Sequence, residues 1–380
     1  MTDYEIELEI KNAINTCSRV GGGNSANLSY WNSGSDYKAR LKETLTLPCG
    51  ADLFDYQYYF PDDIEAQLAA KLGFSAADRK KLYFHPLTQS TLAIAILSVL
   101  LKKLRVKLGI IAPAYFSVQN CFDDLGLLYT RFDNFMERIN NTFDADALLQ
   151  SDCDAFFFTS PVNSCGLYFN ERVQNGIQKL LDAGKLVILD ESLCINGREL
   201  CRTFGAQENL LYIYSPHKTM GIQGIKFSVI VVHKKFYEDI DSLSDGYGGS
   251  LNYSCQQGYL HFVSDNFDTC LAVYNRFWQE NLSAVRSLLA SYPFASLSPD
   301  VCGHYAMIFI DRALDDRTVV DAMKHLMKEQ GYFAYPGSMQ GFDAKKRFCF
   351  RINLLLNKTD LEQGLKIVLT CLSTMTGATK

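Results

Sequence analysis

The sequence predicts an α/β protein with a large domain, whose mostly parallel sheet is sandwiched by helices, and a smaller α+β domain formed by both termini. Its 380 residues exceed the length of about 250–300 residues at which one hydrophobic core stops growing. From about residue 81, short apolar runs alternate with amphipathic segments of helical length, which is typical of βαβ units. Beyond about residue 290 this alternation ends, which indicates a second and smaller unit.

Six short apolar runs predict the strands of the large sheet. They are almost continuously hydrophobic, which indicates that helices cover both faces of the sheet. The runs are residues 82–84, 109–112, 155–159, 186–190, 211–215 and 227–232. Helices are predicted where apolar residues recur at spacings of three and four. These segments are residues 90–104, 171–183 and a long stretch from about 266 to 290.

The last part of the chain predicts the smaller domain. Its strands are expected at residues 305–311 and 347–354, and its helices at residues 318–330 and 360–373. The long helix before them is long enough to connect two lobes. The expected bounds are 51–283 for the large domain, and 1–50 together with 284–380 for the small one.

The charge balance and hydropathy argue against several classes of partner. Lys and Arg number 37 against 42 Asp and Glu, a formal net charge of −5, and no long basic run is present to follow a nucleic-acid backbone. The acidic first residues lack the pattern of a secretory signal, and the longest apolar run, near residues 92–101, is too short to cross a bilayer. A cytoplasmic protein with no nucleic-acid or membrane partner is expected.

Cysteine and histidine, which form disulfides and bind transition metals, show no organised pattern. The 12 cysteines are scattered from Cys17 to Cys371 without framework spacing, which favours reduced and mostly buried thiols. The six histidines form no cluster with metal-ligand spacing. No metal site is therefore expected.

A lysine follows one of the predicted buried strands. Residues 215–218, Ser-Pro-His-Lys, leave the strand and lead into a stretch with two glycines that permits a tight turn. An amine at such a strand end, lined by apolar residues, loses its proton more easily and can act as a nucleophile. Taken alone, Lys218 is more often a surface lysine.

A carboxylate ends another apolar strand. Asp190 follows Val-Ile-Leu, where an unpaired charge is costly and a cationic partner is expected. A pyridinium nitrogen is such a partner, and keeping it protonated makes the ring an electron sink. The alternative is a helix cap or a structural acid in a salt bridge.

These motifs, in this order, resemble the fold-type I pyridoxal-phosphate enzymes of the class I and II aminotransferase family, related to aspartate and histidinol-phosphate aminotransferases. The resemblance extends from about Leu47 to Leu372. It implies that Lys218 holds pyridoxal 5'-phosphate as a Schiff base, that Asp190 pairs with the ring nitrogen, and that Ser215 contacts the phosphate. Lys226 stands where the family usually has a phosphate-binding arginine, so it supplies charge without bidentate geometry.

The resemblance implies further cofactor contacts. Residues 85–91 resemble the phosphate cup at a helix start, with Thr88, Gln89 and Ser90 as ligands, although the usual glycine is missing. Tyr115 matches the aromatic residue that stacks on the ring, and Asn163 matches the asparagine that bonds the ring hydroxyl and borders the substrate. A helix cap, core packing and an Asn-containing turn are the respective structural alternatives.

Substrate contacts and a homodimer follow from the same resemblance. Arg351 matches the arginine that binds the substrate α-carboxylate, for which a guanidinium offers two parallel N–H groups. A surface arginine on an edge strand is the alternative. Gly50 resembles the turn beside that carboxylate. Tyr59 lies where the family has a tyrosine that reaches the partner subunit's phosphate, so a homodimer with shared active sites is expected.

Two positions depart from the family pattern. Leu193 replaces a tyrosine that donates to the ring hydroxyl in ordinary transaminases, which weakens the case for transamination more than that for cofactor binding. His217 replaces the usual serine, and it is either a proton shuttle or a packed core histidine.

The function expected from these residues is that of an aminotransferase-like enzyme, which takes the α-proton from an L-amino acid and passes its amino group to a keto-acid acceptor. The alternative is a lyase, cyclase or oxidase of amino-acid-derived secondary metabolism that uses the same cofactor. A non-catalytic ligand sensor is a third hypothesis, against which the intact Lys218 and Asp190 pair argues. The side chain of the substrate is not indicated by the sequence.

Overall fold

The computed structural model describes residues 9, 26–28, 34–43, 58–133, 144–264, 266–298, 300–342 and 348–376. The chain divides into two compact units. The sheet unit comprises Leu41–Val162 and Tyr168–Val273, and the terminal unit comprises Met1–Arg40, Asn163–Leu167 and Tyr274–Lys380. The domain bounds expected from the sequence stay a prediction.

Strands and helices alternate along the described residues. The strands are, in chain order, β1 (Ala26–Asn27), β2 (Leu82–Leu87), β3 (Leu108–Ile111), β4 (Tyr129–Phe132), β5 (Ala155–Thr159), β6 (Leu186–Glu191), β7 (Leu210–Tyr214), β8 (Ser228–His233), β9 (Ala295–Leu297), β10 (Tyr305–Ile310), β11 (Tyr332–Phe333), β12 (Tyr335–Pro336) and β13 (Cys349–Asn353). The α-helices are α1 (Ser35–Lys42), α2 (Asp62–Lys71), α3 (Ala76–Lys81), α4 (Ser90–Leu104), α5 (Phe116–Leu125), α6 (Ala145–Gln150), α7 (Glu171–Asp182), α8 (Cys201–Phe204), α9 (Tyr237–Tyr247), α10 (Tyr253–Val263), α11 (Asn266–Leu289), α12 (Asp316–Gln330) and α13 (Lys358–Thr376). Short 3₁₀ turns lie at Lys234–Phe236 and Gly337–Gln340.

The sheet unit contains a seven-stranded sheet in the order β2-β8-β7-β6-β5-β3-β4. Strands β4, β3, β5, β6 and β7 pair in parallel, whereas β8 is antiparallel to both β7 and β2. The predicted α/β fold with a mostly parallel sheet is therefore confirmed.

Both faces of this sheet are buried, as the continuous apolar runs predicted. Phe157 and Ile188 pack with α4 side chains such as Leu97 in one hydrophobic cluster. Their neighbour along β5, Phe158, points to the opposite face and meets the ring of Phe169 at 6.1 Å between centroids. Full burial of such a side chain contributes about 1.5–3 kcal/mol, so the core holds the strand ends firmly.

The terminal unit is an α+β structure. Its main sheet has the antiparallel order β12-β13-β10-β9, and β1 pairs in parallel with β11. Helices α12 and α13 belong to the same unit. None of the helices in the described residues combines the length and the apolar character needed to cross a membrane. The cysteines of the described residues are free thiols, and most are buried, as predicted.

Candidate active site

The candidate site of the sheet unit lies at the carboxyl ends of its parallel strands. Asp190 at the end of β6 is in register with Thr159 on β5 and Ile213 on β7. Paired residues share a face of a sheet, and Ile213 belongs to the cluster packed against α4. Asp190 and Thr159 are therefore on the α4 face. Ligands of open α/β sheets gather at this edge.

Lys218 extends from the loop after β7 to the start of α4. Its Nζ donates a hydrogen bond of 3.0 Å to Ser90 Oγ and lies 6.0 Å from the centre of the Tyr115 ring. Burial lowers the pKa of Lys218, the positive charge of Lys226 lowers it further, and the charge of Asp190 opposes both effects. The neutral, nucleophilic form of this amine is therefore more populated here than it is for a lysine exposed to water.

Asp190 is a buried acid with an exposed fraction of 3%. Its Oδ1 accepts a hydrogen bond of 3.0 Å from the backbone N–H of Ser192. A carboxylate has acceptor positions for about four hydrogen bonds, so this bond leaves room for a cationic ligand. The negative charge of Asp190 acts on the amine of Lys218, and the predicted roles of the two residues stay predictions.

Hydroxyl groups surround this acid. Ser215 Oγ lies 2.6 Å from Ser228 Oγ and 3.4 Å from Ser192 Oγ, which ties the loop after β7 to β8 and to the end of β6. Thr159 Oγ1 and Ser160 Oγ are buried and have no hydrogen-bond partner among the described residues. Buried polar atoms are rarely left without a partner, so a bound ligand here would satisfy them.

The first turn of α4 presents backbone N–H groups beside Lys218. Gln89 caps this helix in an extended conformation, and its side chain makes no capping hydrogen bond. The N–H groups of a first helical turn have no partner within the helix and attract anions. Thr88 is half-buried, Gln89 is exposed and Ser90 is buried. Residues 88–90 thus lie at a helix start, and their role as a phosphate cup stays a prediction.

His217 is a packed side chain. Only 4% of it is exposed, and its Nδ1 lies 2.6 Å from the carbonyl oxygen of Phe227 and 3.2 Å from the N–H of the same residue. Burial, followed by the positive charge of Lys218, lowers the pKa of His217 to about 3. A neutral histidine held by the backbone favours the structural hypothesis over the proton shuttle. Leu193 is half-buried and offers no hydrogen-bond donor from its side chain.

Tyr59 lies at the surface of the sheet unit, 48% exposed. Its hydroxyl donates a hydrogen bond of 2.9 Å to Asp241 Oδ1 of the same chain, and this bond with burial raises the pKa of Tyr59 to about 12. The reach of Tyr59 to a partner subunit stays a prediction. Gly50 lies outside the described residues.

The candidate substrate arginine is in the terminal unit. Arg351 on β13 is only 1% exposed, so it is not the surface arginine of the alternative hypothesis. Its guanidinium lies 4.6 Å from the centre of the Tyr305 ring and 5.5 Å from that of Tyr335. Its Nη1 donates to Gln340 Oε1 at 3.3 Å and to Ser164 Oγ at 3.4 Å.

The turn that contains Asn163 belongs to the same unit as Arg351. Ser164 and Gly166 both have left-handed backbones, with φ of 63° and 65°. A Cβ on Gly166 would lie 2.5 Å from the carbonyl oxygen of Tyr305, so only glycine fits against β10. Asn163 is 3% exposed. The signature Asn-Ser-Cys-Gly thus has a structural cause, and the functional role of Asn163 stays a prediction.

Sequence reasoning did not single out several residues of these clusters. Gln340 and Tyr335 contact Arg351 but lie in segments without a recognisable motif. Tyr305 also contacts Arg351 and was predicted only as the first residue of a strand. Thr159 was predicted only as the end of a strand. Its register with Asp190 was the available signal, because both residues end neighbouring parallel strands.

Comparison with known proteins supports the fold. No protein-family model matches the chain. Histidinol-phosphate aminotransferase of Pyrococcus furiosus is 28% identical over 100 residues, which are 26% of this chain and 29% of that protein. The chain therefore matches less than a third of the length of this curated relative.

Solved structures match over nearly the whole chain. Kynurenine aminotransferase of Pyrococcus horikoshii has a TM-score of 0.77 and 12% identity, covering 97% of this chain and 94% of that one. The pyridoxal-phosphate-dependent cyclase OrfR has a TM-score of 0.74 and 14% identity, covering 96% of both chains. At these identities the likeness is one of fold. The chain thus has the fold of the fold-type I pyridoxal-phosphate-dependent aminotransferases, as the sequence predicted.

Proposed function

We propose that the chain is a pyridoxal-phosphate-dependent enzyme of the aminotransferase type, which removes the α-proton of an L-amino acid. One observation carries the proposal. The amine of Lys218 donates a hydrogen bond to Ser90 at the start of α4, and the buried carboxylate of Asp190 acts electrostatically on the same amine. An amine nucleophile, a helix N-terminus and a buried anion are the three groups that a phosphorylated pyridine aldehyde requires.

The chemistry of the surrounding residues fits this cofactor. The hydroxyls of Thr159 and Ser160 are buried without partners among the described residues, as expected where a polar ligand completes the site. The phosphate would be held by Thr88, Gln89, Ser90, Ser215 and Lys226. Of these, Lys226 is exposed and carries the countercharge, as a point charge instead of a bidentate fork.

The ring would be held by different groups. Asp190 would accept a hydrogen bond from the protonated ring nitrogen, Tyr115 would stack on the ring, and Asn163 would bond the ring hydroxyl. When bound, the cofactor supplies an electron sink that stabilises negative charge at the substrate α-carbon. Lys218, once released from the cofactor, would act as the general base for the α-proton, a role that its lowered pKa supports.

Substrate binding is assigned to the buried arginine cluster. Arg351 would bind the α-carboxylate, with Asn163 beside it and Gly50 in the N-terminal turn. A guanidinium offers two parallel N–H groups to a carboxylate, which suits Arg351 to this role. We further propose a homodimer, with Tyr59 contributed to the partner's phosphate site, a keto-acid acceptor, and a cytoplasmic location.

A second function is favoured by Leu193 and by the comparison with a cyclase. A leucine at this position cannot donate a hydrogen bond to the ring hydroxyl, which alters the electron flow after removal of the α-proton. A pyridoxal-phosphate-dependent cyclase shares the fold. The second candidate is therefore a lyase, cyclase or oxidase of amino-acid-derived metabolism that shares the first steps with the aminotransferase.

The first experiment tests the cofactor. The purified protein is expected to show a visible absorbance band, and borohydride is expected to fix the cofactor on the peptide that contains Lys218. Lys218→Ala should abolish this adduct, while the exposed-lysine control Lys235→Ala should retain it. An unchanged, fully active holoenzyme in Lys218→Ala would contradict the proposal.

The second experiment separates the two functions. The holoenzyme is incubated with a panel of amino acids, with and without a keto-acid acceptor and oxygen. Turnover that depends on the keto acid supports the aminotransferase. Release of ammonia or peroxide, or a cyclised product, without an acceptor supports the second candidate.

A further inference from the structure

Gln340 occupies a fixed position next to the buried arginine. It is the last residue of the 3₁₀ turn Gly337–Gln340 and is 7% exposed. The turn is closed by hydrogen bonds from the N–H groups of Gly341 and Phe342 to its carbonyls, at 3.2 and 2.9 Å. Gly337 packs so closely on Cys349 of β13 that a side chain would collide with it. The backbone that carries Gln340 is therefore tied to the strand of Arg351.

The side-chain oxygen of Gln340 joins two donors. Ser164 Oγ donates to Oε1 at 2.6 Å, and Arg351 Nη1 donates to it at 3.3 Å. An amide oxygen has two lone pairs, so both donors can be satisfied at once. Ser164 is itself 2% exposed and lies in the left-handed turn that follows Asn163. Gln340 thus links the position of the guanidinium to the position of this turn.

The chemical identity of the residue matters because the guanidinium is buried. A buried cation needs hydrogen-bond acceptors, and a carboxylate at this place would supply them but would also neutralise it. An amide supplies an acceptor without adding negative charge. The rings of Tyr305 and Tyr335 also stabilise the guanidinium without adding a full negative charge, because an aromatic face attracts a cation.

We infer that Gln340 is a positioning residue for carboxylate recognition. By accepting hydrogen bonds from Arg351 and Ser164, its amide fixes the guanidinium and adds no charge that competes with a carboxylate ligand. The inference rests on the proposed role of Arg351 as the binder of the substrate carboxylate. It assigns to Gln340 no contact with the reacting atoms.

The test measures carboxylate binding directly. Straight-chain carboxylates from propionate to hexanoate are titrated into the protein, prepared with pyridoxal 5'-phosphate, by isothermal calorimetry, with the corresponding amides as uncharged controls. Arg351→Met defines the binding that does not involve the guanidinium. The substitutions are Gln340→Glu, Gln340→Met and Ser164→Ala. Gln330→Glu, at the exposed end of α12, is the matched control for the added charge.

Gln340→Glu is expected to weaken carboxylate binding by about 10-fold or more near pH 8, because the new carboxylate pairs with Arg351. The loss should persist between pH 8 and pH 6, because pairing with Arg351 lowers the pKa of the new glutamate and keeps it ionised. Gln340→Met should weaken binding by about 5-fold at all pH values, the effect of one lost hydrogen bond. Ser164→Ala should produce a smaller loss, and Gln330→Glu should bind like the wild type.

Several results would overturn the inference. One is a Gln340→Glu variant that binds the carboxylates as the wild type does across this pH range. Another is a loss in Gln340→Glu that equals the loss in Gln340→Met, since a purely structural role predicts no additional effect of the negative charge. A third is wild-type binding that equals that of Arg351→Met. The visible band on Lys218 is recorded for each protein, so absence of cofactor is distinguished from failure of the carboxylate site.

Discussion

Lys218 Nζ and Ser90 Oγ are 3.0 Å apart, so the lysine that follows β7 is joined to the first residue of α4. The two residues are separated by 128 positions in the chain, and the seven-stranded sheet brings the carboxyl ends of β2 and β7 to the same side. The hydroxyl of Ser90 accepts a hydrogen bond from the amine at the point where the helix N-terminus attracts an anion. The candidate nucleophile and the candidate phosphate site are thus parts of one arrangement.

Replacing Ser90 by alanine should weaken cofactor binding. The substitution removes one hydroxyl from the proposed phosphate cup and the acceptor of the Lys218 amine, and loss of one such hydrogen bond corresponds to about a 5-fold increase in Kd. Titration of the apoprotein with pyridoxal 5'-phosphate, followed by absorbance, measures the effect. Ser98→Ala is the matched control, because Ser98 is buried on the same helix and bonds only the carbonyl of Ile94 in the described structure. Equal Kd values for the wild type and Ser90→Ala would count against the phosphate cup.

Replacing Asp190 by asparagine should leave the cofactor bound but slow removal of the α-proton. Asparagine keeps the shape of the side chain but cannot hold the ring nitrogen protonated, so a loss of about 100-fold or more is expected. Exchange of the substrate α-proton with deuterated water, followed by NMR, measures this step in both candidate functions. Asp146→Asn, at an exposed acid of α6, is the control. Exchange at the wild-type rate in Asp190→Asn would remove Asp190 from the catalytic residues.

The sequence was sufficient to predict the main helices and strands, and to predict that polar residues gather at the carboxyl ends of the parallel strands. The predicted bounds of α4 and β5 agree with the structure, since strong helical periodicity and a continuous apolar run define them. The half-buried β4, Tyr-Thr-Arg-Phe, was missed because it lies at the sheet edge and has no apolar run. The bounds of other predicted strands differ by one or a few residues, since local pattern does not determine where pairing ends.

The contacts of Arg351 could not be predicted in the same way. Ser164 is 187 positions away from Arg351, and no local periodicity relates the two. Gln340 is only 11 positions away, but its orientation depends on the packing of a short 3₁₀ turn against β13. The choice between a shuttle and a packed residue for His217 likewise depended on burial and on the backbone of Phe227. Such choices depend on tertiary packing, not on residue order.

Removal of the charge of Lys226 should change the reactivity of Lys218. The positive charge of Lys226 lowers the pKa of Lys218, so Lys226→Ala should raise it, and Lys226→Arg should preserve it. The rate at which pyridoxal 5'-phosphate reacts with this amine increases with pH as the amine loses its proton. This increase should occur at a higher pH in Lys226→Ala than in the wild type. Cofactor affinity should fall by about 10-fold in the same variant through the lost countercharge. Identical pH profiles in the three proteins would show that Lys226 does not act on this amine.

His217 should make the protein less stable as the pH falls. The pKa of His217 is about 3 in the folded protein, against about 6.5 in an unfolded chain, so the unfolded state binds more protons between these values. The free energy of unfolding should therefore be fully retained above pH 6.5 and decrease below it, by at most about 1.4 kcal/mol per pH unit. Urea denaturation at pH 7.5 and pH 5 measures this slope. His217→Gln should reduce the slope. His325→Gln, at an exposed position on α12, is the control and should leave the slope unchanged. An unchanged slope in His217→Gln would mean that another group controls acid stability.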